Sequence, residues 1–331
     1  MKKKILFWLD NARPTALPQS ILPALTAVFL SIHSEGFVWW LAVLAVVGVA
    51  FAHLGINLFD DFFDTKKKKQ DYREEIVHKG MRARIGKTPY LTSGKATENQ
   101  LFVVCCIFCG IAVLIGGVIL WFRGINILYI TAITAIIGIQ YSAPPLRLSY
   151  RGLGEVVICL VFGCLNMIGV GFAACGEFSK ELFLISLPVG LLVMNIVYIH
   201  SILDFIPDKE VGKRTLAVLL NNQKAMLVLL IFVIFVPFLS ILIGIIFKIC
   251  GIKYLFVFLL LPMAITLFKM MIDFVQTPEK QFAPRFWLGP FNQWKTIKEY
   301  NLEWFMIRWL TARNLISFFC LIIIVLQFLN L

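Results

Sequence analysis

The stretch WLAVLAVVGVAFAHLGINLFDDFFDTKKKK, residues 40–69, is almost wholly apolar as far as Ile56 and then sets one amide and three carboxylates beside four consecutive lysines. As a helix, an apolar run of this length reaches across the hydrocarbon of a bilayer, and the charges begin where the hydrocarbon ends. The same pattern repeats on either side of it. Apolar runs of near-spanning length lie at 15–33, 38–59, 100–121, 125–142, 153–175, 182–204, 225–247, 254–275 and 312–330. The expected fold class is an all-α polytopic membrane protein of about nine transmembrane helices. A composition of 60% hydrophobic and only 15% charged residues excludes a soluble domain of this length. Pro18 and Pro23 interrupt the first run and Asn166 dilutes the fifth, features that membrane helices tolerate.

Lysine and arginine set the expected orientation. With the N-terminus cytoplasmic, 26 of the 31 basic residues fall in cytoplasmic segments, ten of them between 61 and 98. The expected location is the cell (inner) membrane, with the N-terminus and the long polar segments inside and the C-terminus outside. The net charge of +12 then lies against the anionic leaflet, so the lipid bilayer is an expected partner and nucleic acid is not. MKKKILFWLDNARP begins like a signal peptide, but its apolar stretch is short and no cleavage site follows; it reads as a basic amphipathic lead-in. Cys106 and Cys109 form a CxxC inside a span with no second pair nearby, which reads as helix packing.

The chemistry is expected on the cytoplasmic side. Asn57, Asp61 and Asp64 are spaced i, i+4, i+7, so a continuing helix carries all three on one stripe, with Asp60 off it. A second acidic site, HSILDFIPDKEVGKRTLAVLL at 200–220, sets Asp204 and Asp208 four apart and follows them with Lys213 and Arg214. His200 lies one turn before Asp204, placed to hydrogen-bond it. The two clusters end the second and sixth runs. That spacing suggests two four-helix repeats within a single domain (1–331), at about 10–142 and 150–275, followed by a ninth helix at 312–330. The two carboxylate clusters would then face a central cavity. Segment 61–98 is the expected basic cytoplasmic loop, and 276–311, with Trp287, Trp294 and Trp304, an amphipathic surface segment. Asn166 and Asn195, amides within spans, read as interhelical hydrogen-bonding groups. Carboxylate and amide oxygens are hard ligands suited to Mg²⁺, and neighbouring cations suit what such an ion carries, a diphosphate.

Four segments carry a resemblance. ARPTALPQSILPAL (12–25), NLFDDFFD (57–64), YSAPPLRLSYRGLGEV (141–156) and DFIPDKEVGKRTLAV (204–218) resemble the UbiA superfamily of intramembrane prenyltransferases. The YxxPPxxLxYRGLGE and GKRTLAV segments point to its 1,4-dihydroxy-2-naphthoate branch, which serves menaquinone biosynthesis. The resemblance implies a helical bundle around a central cavity and Mg²⁺-dependent transfer of a polyprenyl group from polyprenyl diphosphate to an aromatic quinone precursor, with loss of CO₂. It implies metal-binding roles for Asn57, Asp61, Asp64, Asp204 and Asp208, with Asp61 and Asp204 catalytic. Arg13, Arg151, Lys213 and Arg214 would bind diphosphate, and Tyr141 and His200 would border the acceptor and the allylic cation. The chain departs from the branch at His200 and Leu203, where asparagine and arginine are usual. Pro207 is expected to break the hydrogen bond between the turns of Asp204 and Asp208. The acceptor stays open among naphthoate, 4-hydroxybenzoate, homogentisate and haem. A cation transporter would instead need ionisable residues near the bilayer midplane, and these spans carry almost none.

Overall fold

In hydrocarbon no water is present to satisfy backbone N–H and C=O groups, so each apolar run must satisfy its own by coiling into a helix. The computed structural model of the chain describes residues 2–65, 89–210, 212–277, 282–292 and 294–329. Its helices are α1 (Lys2–Asn11), α2 (Pro18–Leu30), α3 (Trp39–Thr65), α4 (Pro89–Thr92), α5 (Glu98–Arg123), α6 (Ile125–Ile139) and α7 (Gly154–Cys175). They continue as α8 (Lys180–Leu203), α9 (Phe205–Glu210), α10 (Leu216–Leu220), α11 (Gln223–Ile246), α12 (Ile252–Gln276), α13 (Trp294–Glu299) and α14 (Glu303–Leu326). No strand occurs among the described residues.

Seven of these helices, α3, α5, α7, α8, α11, α12 and α14, are long and apolar enough to cross a membrane. The other two expected spans are helical but short. The run at 15–33 forms α2, of 13 residues, and the run at 125–142 forms α6, of 15, rising only about 20 and 22 Å against a hydrocarbon core of about 30 Å. The Arg13-Pro14 turn and a 3₁₀ segment at Pro14–Ala16 delay the start of α2. Gly124, at φ 74, lets α6 begin one residue after α5 ends.

The last helix departs in the opposite sense. It begins at Glu303, nine residues before the expected 312, so the end of the expected surface segment is helical, with Phe305, Ile307 and Leu310 buried. Arg308 permits this because its charge is absorbed locally. Its guanidinium donates to the carbonyls of Met270 and Trp304 and lies 5.3 Å from the ring centres of both Phe274 and Phe282.

The described chain divides into two compact units. The first holds α1–α6, α7 from Leu160 onward and α8 as far as Ser186; the second holds Ser149–Cys159 and everything described from Leu187 onward. In the first, α3 packs closely along α5. A Cβ on Gly55 would lie 2.6 Å from the Cys109 sulfur, so one half of the CxxC serves close helix approach. Leu54, Leu58, Leu101, Cys105 and Phe108 form the buried seam, and Tyr90 closes it at the charged end of α3.

Candidate active site

In the first unit, α3 runs without a break through Asn57, Asp60 and Asp61 to Thr65, so the amide and the carboxylates project from successive turns. Arg13 reaches them from the chain between α1 and α2. Its Nη2 donates to the Asn57 carbonyl at 2.7 Å and to Asp61 Oδ1 at 2.5 Å, and it lies 3.6 Å from Asp60 Oδ2. The Asn57 side-chain amide donates back to the Ala12 carbonyl at 3.0 Å. This exchange holds Arg13 at φ 61, a left-handed conformation that an L side chain adopts only at a cost of about 1 kcal/mol. The second oxygen of fully buried Asp61 accepts from the Tyr90 hydroxyl at 3.0 Å. Burial, with the Asp61 carboxylate beside it, pushes the Tyr90 phenol far above its ordinary pKa, so Tyr90 remains a donor at any physiological pH. Phe7 and Trp8 of α1 pack edge-on against the Tyr90 ring at 6.2 and 5.9 Å.

Asp60 belongs to the same network, contrary to its place off the stripe. It accepts from Ser142 Oγ at 2.5 Å, tying the Tyr141–Pro145 segment to α3. Helical spacing separates Asp60 from Asp61 by about 100°, but at the helix end a single guanidinium nitrogen, Arg13 Nη2, lies within reach of both.

In the second unit, α8 ends at Leu203 and α9 begins at Phe205. Pro207 does not break the link between the two aspartates: the Asp208 N–H donates to the Asp204 carbonyl at 2.8 Å. Proline removes only its own N–H, so Asp208 sits in the first turn of a new short helix with its bond intact. Asp204 and Asp208 are both almost fully buried. The expected His200–Asp204 contact is present at 3.0 Å from a half-exposed imidazole, and Lys213 lies 3.5 Å from Asp208.

Glu155 organises this unit and was not singled out in the sequence, although it lies inside YRGLGEV. Almost fully buried, its Oε1 accepts from Ser201 Oγ at 2.5 Å and from the Leu216 N–H at 3.1 Å. It thereby joins α8, three residues before Asp204, to the helix that follows Lys213 and Arg214, which Thr215 caps. Gly152, at φ 80, lets this turn approach α10: a Cβ there would fall 1.9 Å from a Leu219 methyl. If Glu155 positions the Lys213-Arg214 segment, Glu155→Ala should raise the KM for prenyl diphosphate at least about 10-fold with a smaller change in kcat, and Glu155→Gln, which keeps the oxygen, should recover most of it. A loss confined to kcat, or a glutamine variant as poor as alanine, would exclude that role.

The remaining expected residues are placed less closely. Tyr141 is half-buried in the first unit, directly before Ser142. Arg151 and Arg214 are exposed in the second. Asp64 lies in the last turn of α3, with its side chain outside the described residues, as are Lys66 to Lys69. Asn166 does link helices, donating to the Ser20 carbonyl at 2.8 Å, whereas the amide of Asn195 has no hydrogen-bond partner among the described residues.

No three His, Cys, Asp or Glu residues converge as a metal cage among the described residues. That pattern does not fit an ion held by protein alone, but it does fit Mg²⁺, which commonly takes one or two carboxylates and completes its shell with water and phosphate oxygens. Asp60 with Asp61, and Asp204 with Asp208, offer such hard oxygens, and each pair has a cation at hand to meet phosphate.

Seven helices long and apolar enough to cross a membrane, with buried carboxylates set beside arginine and lysine, describe an integral membrane protein with charged sites at its helix ends. Residues 20–295 match the UbiA prenyltransferase family; the chain belongs to that family and is a prenyltransferase. It is 26% identical over 217 residues to a 1,4-dihydroxy-2-naphthoate octaprenyltransferase of Bacillus subtilis (strain 168), covering 66% of this chain and 67% of that protein. It is 24% identical over 226 residues to the enzyme so named in Escherichia coli (strain K12), covering 66% and 70%. Among solved structures its fold is similar to a UbiA homolog from Archaeoglobus fulgidus bound to GPP and Mg²⁺, with TM-score 0.56, 13% identity and coverage of 96% of this chain and 99% of that one. A UbiA homolog from Aeropyrum pernix K1 gives TM-score 0.60 at 16% identity, covering 96% and 99%.

Proposed function

We propose that this protein transfers a polyprenyl group from polyprenyl diphosphate to 1,4-dihydroxy-2-naphthoate, with loss of the acceptor's carboxyl group as CO₂, giving the hydroquinone form of demethylmenaquinone, which becomes the quinone only on a later two-electron oxidation. The observation that carries the reading is the paired arrangement of buried aspartate and adjacent cation at the ends of α3 and α8, in a chain matched over two thirds of its length by naphthoate prenyltransferases. The residues that would hold Mg²⁺ are Asp61, with Asn57 and Asp64, and Asp204 with Asp208. When bound there it supplies neutralisation of the charge that builds on the leaving diphosphate.

The chain's own groups do the rest. Arg13, Lys213 and Arg214 bind phosphate oxygens, Arg13 as a rigid fork and Lys213 as a mobile point charge, with Arg151 at the rim. As the bond from the first prenyl carbon to oxygen breaks, its electron pair leaves with diphosphate and the carbon becomes an allylic cation. Apolar walls withhold the water that would quench it, and the faces of Tyr141 and neighbouring aromatic rings stabilise it until the ring carbon attacks. The whole chain is one prenyltransferase domain in this reading, built of two four-helix repeats and a last helix. It lies in the cell membrane with the N-terminus and the site on the cytoplasmic side and the C-terminus outside, a placement supported by the basic residues.

One experiment tests both substrate and side. Labelled polyprenyl diphosphate and a panel of charged aromatic acceptors are added to inverted membrane vesicles and to intact cells. Prenylated, decarboxylated naphthoate should form in inverted vesicles only. Preference for 4-hydroxybenzoate or homogentisate would replace the acceptor, and equal activity with intact cells would reverse the orientation.

A further inference from the structure

We propose that His53, with Ser20 and Asn166, forms a subsite within the membrane for a ring hydroxyl of the aromatic acceptor. The inference rests on the aromatic acceptor of the proposed function and names the residues that would read it. His53, Asn57 and Asp61 follow at intervals of four along α3, so they share one broad face, with His53 about 12 Å along the axis from Asp61 toward the apolar interior. Diphosphate held at Asp61 and a ring hydroxyl held at His53 would leave the intervening space for the carbon atoms that join.

An ionisable side chain at this depth is costly and calls for a reason. Three helices meet at it. The His53 Nδ1 pairs with Ser20 Oγ of α2 at 2.6 Å, and its ring lies 4.5 Å from that of Phe162 on α7. Asn166, one turn further along α7, donates to the carbonyls of Ser20 at 2.8 Å and of Phe162 at 3.1 Å. Polar capacity is left over at this junction: Asn166 Oδ1 is buried without a hydrogen-bond partner among the described residues, and the contact that His53 makes to Ser20 uses Nδ1. His53 and Asn166 are both more than nine-tenths buried.

A buried amide oxygen lacking a donor asks for one. An imidazole nitrogen asks for a donor or an acceptor according to its tautomer: with the Ser20 hydroxyl donating to the Leu17 carbonyl at 3.2 Å, Ser20 Oγ accepts from His53 Nδ1–H and Nε2 is left as an acceptor. A ring hydroxyl meets either demand, since it donates. An isoprenoid tail offers no donor, so this junction suits the ring and not the tail. The flanking Phe162 face adds a surface for an aromatic ring.

Calorimetric titration of the purified full chain with 1,4-dihydroxy-2-naphthoate, and with 2-naphthoate, which lacks both hydroxyls, tests the subsite. Wild type should bind the dihydroxy compound at least about 10-fold more tightly, as expected where a site's polar groups are otherwise left unmet. His53→Leu and Ser20→Ala should lose most of that preference, His53→Gln should keep part of it, and the KM for prenyl diphosphate should not move in any of them. Retention of the full preference in His53→Gln and Ser20→Ala overturns the subsite, even where thermal stability falls, since the group is then an interhelical tie only. These two variants also carry the test if His53→Leu does not fold. A wild type that binds both compounds equally overturns the subsite alone. A wild type that binds neither, while turning over another acceptor, overturns the proposed function and the subsite with it.

Discussion

Asp61→Ala should lower turnover by at least about 10²-fold, the loss expected when an electrostatic stabiliser of a developing charge is removed. Activity of the unaltered protein should vanish on chelation and return with Mg²⁺. The difficulty in reading this variant is that Asp61 also holds structure. Its carboxylate is fully buried, accepts from Tyr90 and pairs with Arg13, so removing it takes from Arg13 its shortest charged contact and leaves it Asp60 and the Asn57 carbonyl, a smaller loss than the about 3–5 kcal/mol of a buried charge left wholly unpaired. Arg13 is partly exposed, which lowers the loss further.

The two contributions separate in a double variant. Arg13→Met removes the cation that Asp61 and Asp60 share, so if Asp61 acts structurally only through Arg13, adding Arg13→Met to Asp61→Ala should cost less thermal stability than Arg13→Met costs alone, while the double variant stays as inactive as Asp61→Ala. Tyr90→Phe removes one hydrogen bond and no charge, and should cost about 1 kcal/mol of stability with activity largely kept. Recovery of turnover in the double variant would reduce Asp61 to a structural partner of Arg13 and remove it from the chemistry.

The residues that were legible in the sequence are those whose partners lie on their own helix or close beside it. Asn57 and Asp61 a turn apart, the His200–Asp204 contact and the basic residue after Asp208 follow from local spacing. Tyr90 does not, because it reaches Asp61 from 29 residues away and nothing in the intervening spacing announces it. Asp60 was set apart by helical angle, a rule that holds along a helix but not at its end, where an arginine from another segment reaches adjacent carboxylates. Glu155 was passed over because a lone glutamate at a helix start looks like an ordinary dipole partner; its value lies in bonds to Ser201 and Leu216, 46 and 61 residues away. Hydropathy found every long helix, and misjudged two kinds of end. It counted residues 15–17, which lie in and just after the 3₁₀ turn, and 31–33 as part of the first span, and it stopped short of Arg308, whose charge is neutralised by carbonyls and aromatic faces that composition does not reveal.

Asp204→Ala should likewise lower kcat at least about 10²-fold, and here the carboxylate and the basic pair that follows it should divide by kinetic constant. Asp204 is almost fully buried where α8 gives way to α9, its backbone bonded to His200 on one side and to Asp208 on the other. A carboxylate fixed so firmly would hold Mg²⁺ in place to neutralise charge as it develops on the leaving diphosphate. Lys213, half-buried, and Arg214, exposed, lie in the following turn; in the proposed reaction they would meet the substrate's charge before reaction as well as during it. Replacing both by alanine should therefore raise the KM for prenyl diphosphate steeply, at least about 10-fold, with a smaller change in kcat, because the lost attraction serves ground state and transition state alike. His200→Gln should change either constant little, since its ring is 46% exposed and its bond to Asp204 can be replaced by an amide. If the double variant binds prenyl diphosphate as well as the wild type, the basic pair is a membrane-surface anchor. If Asp204→Ala raises KM and leaves kcat intact, that carboxylate serves binding and the leaving group is stabilised at α3 alone.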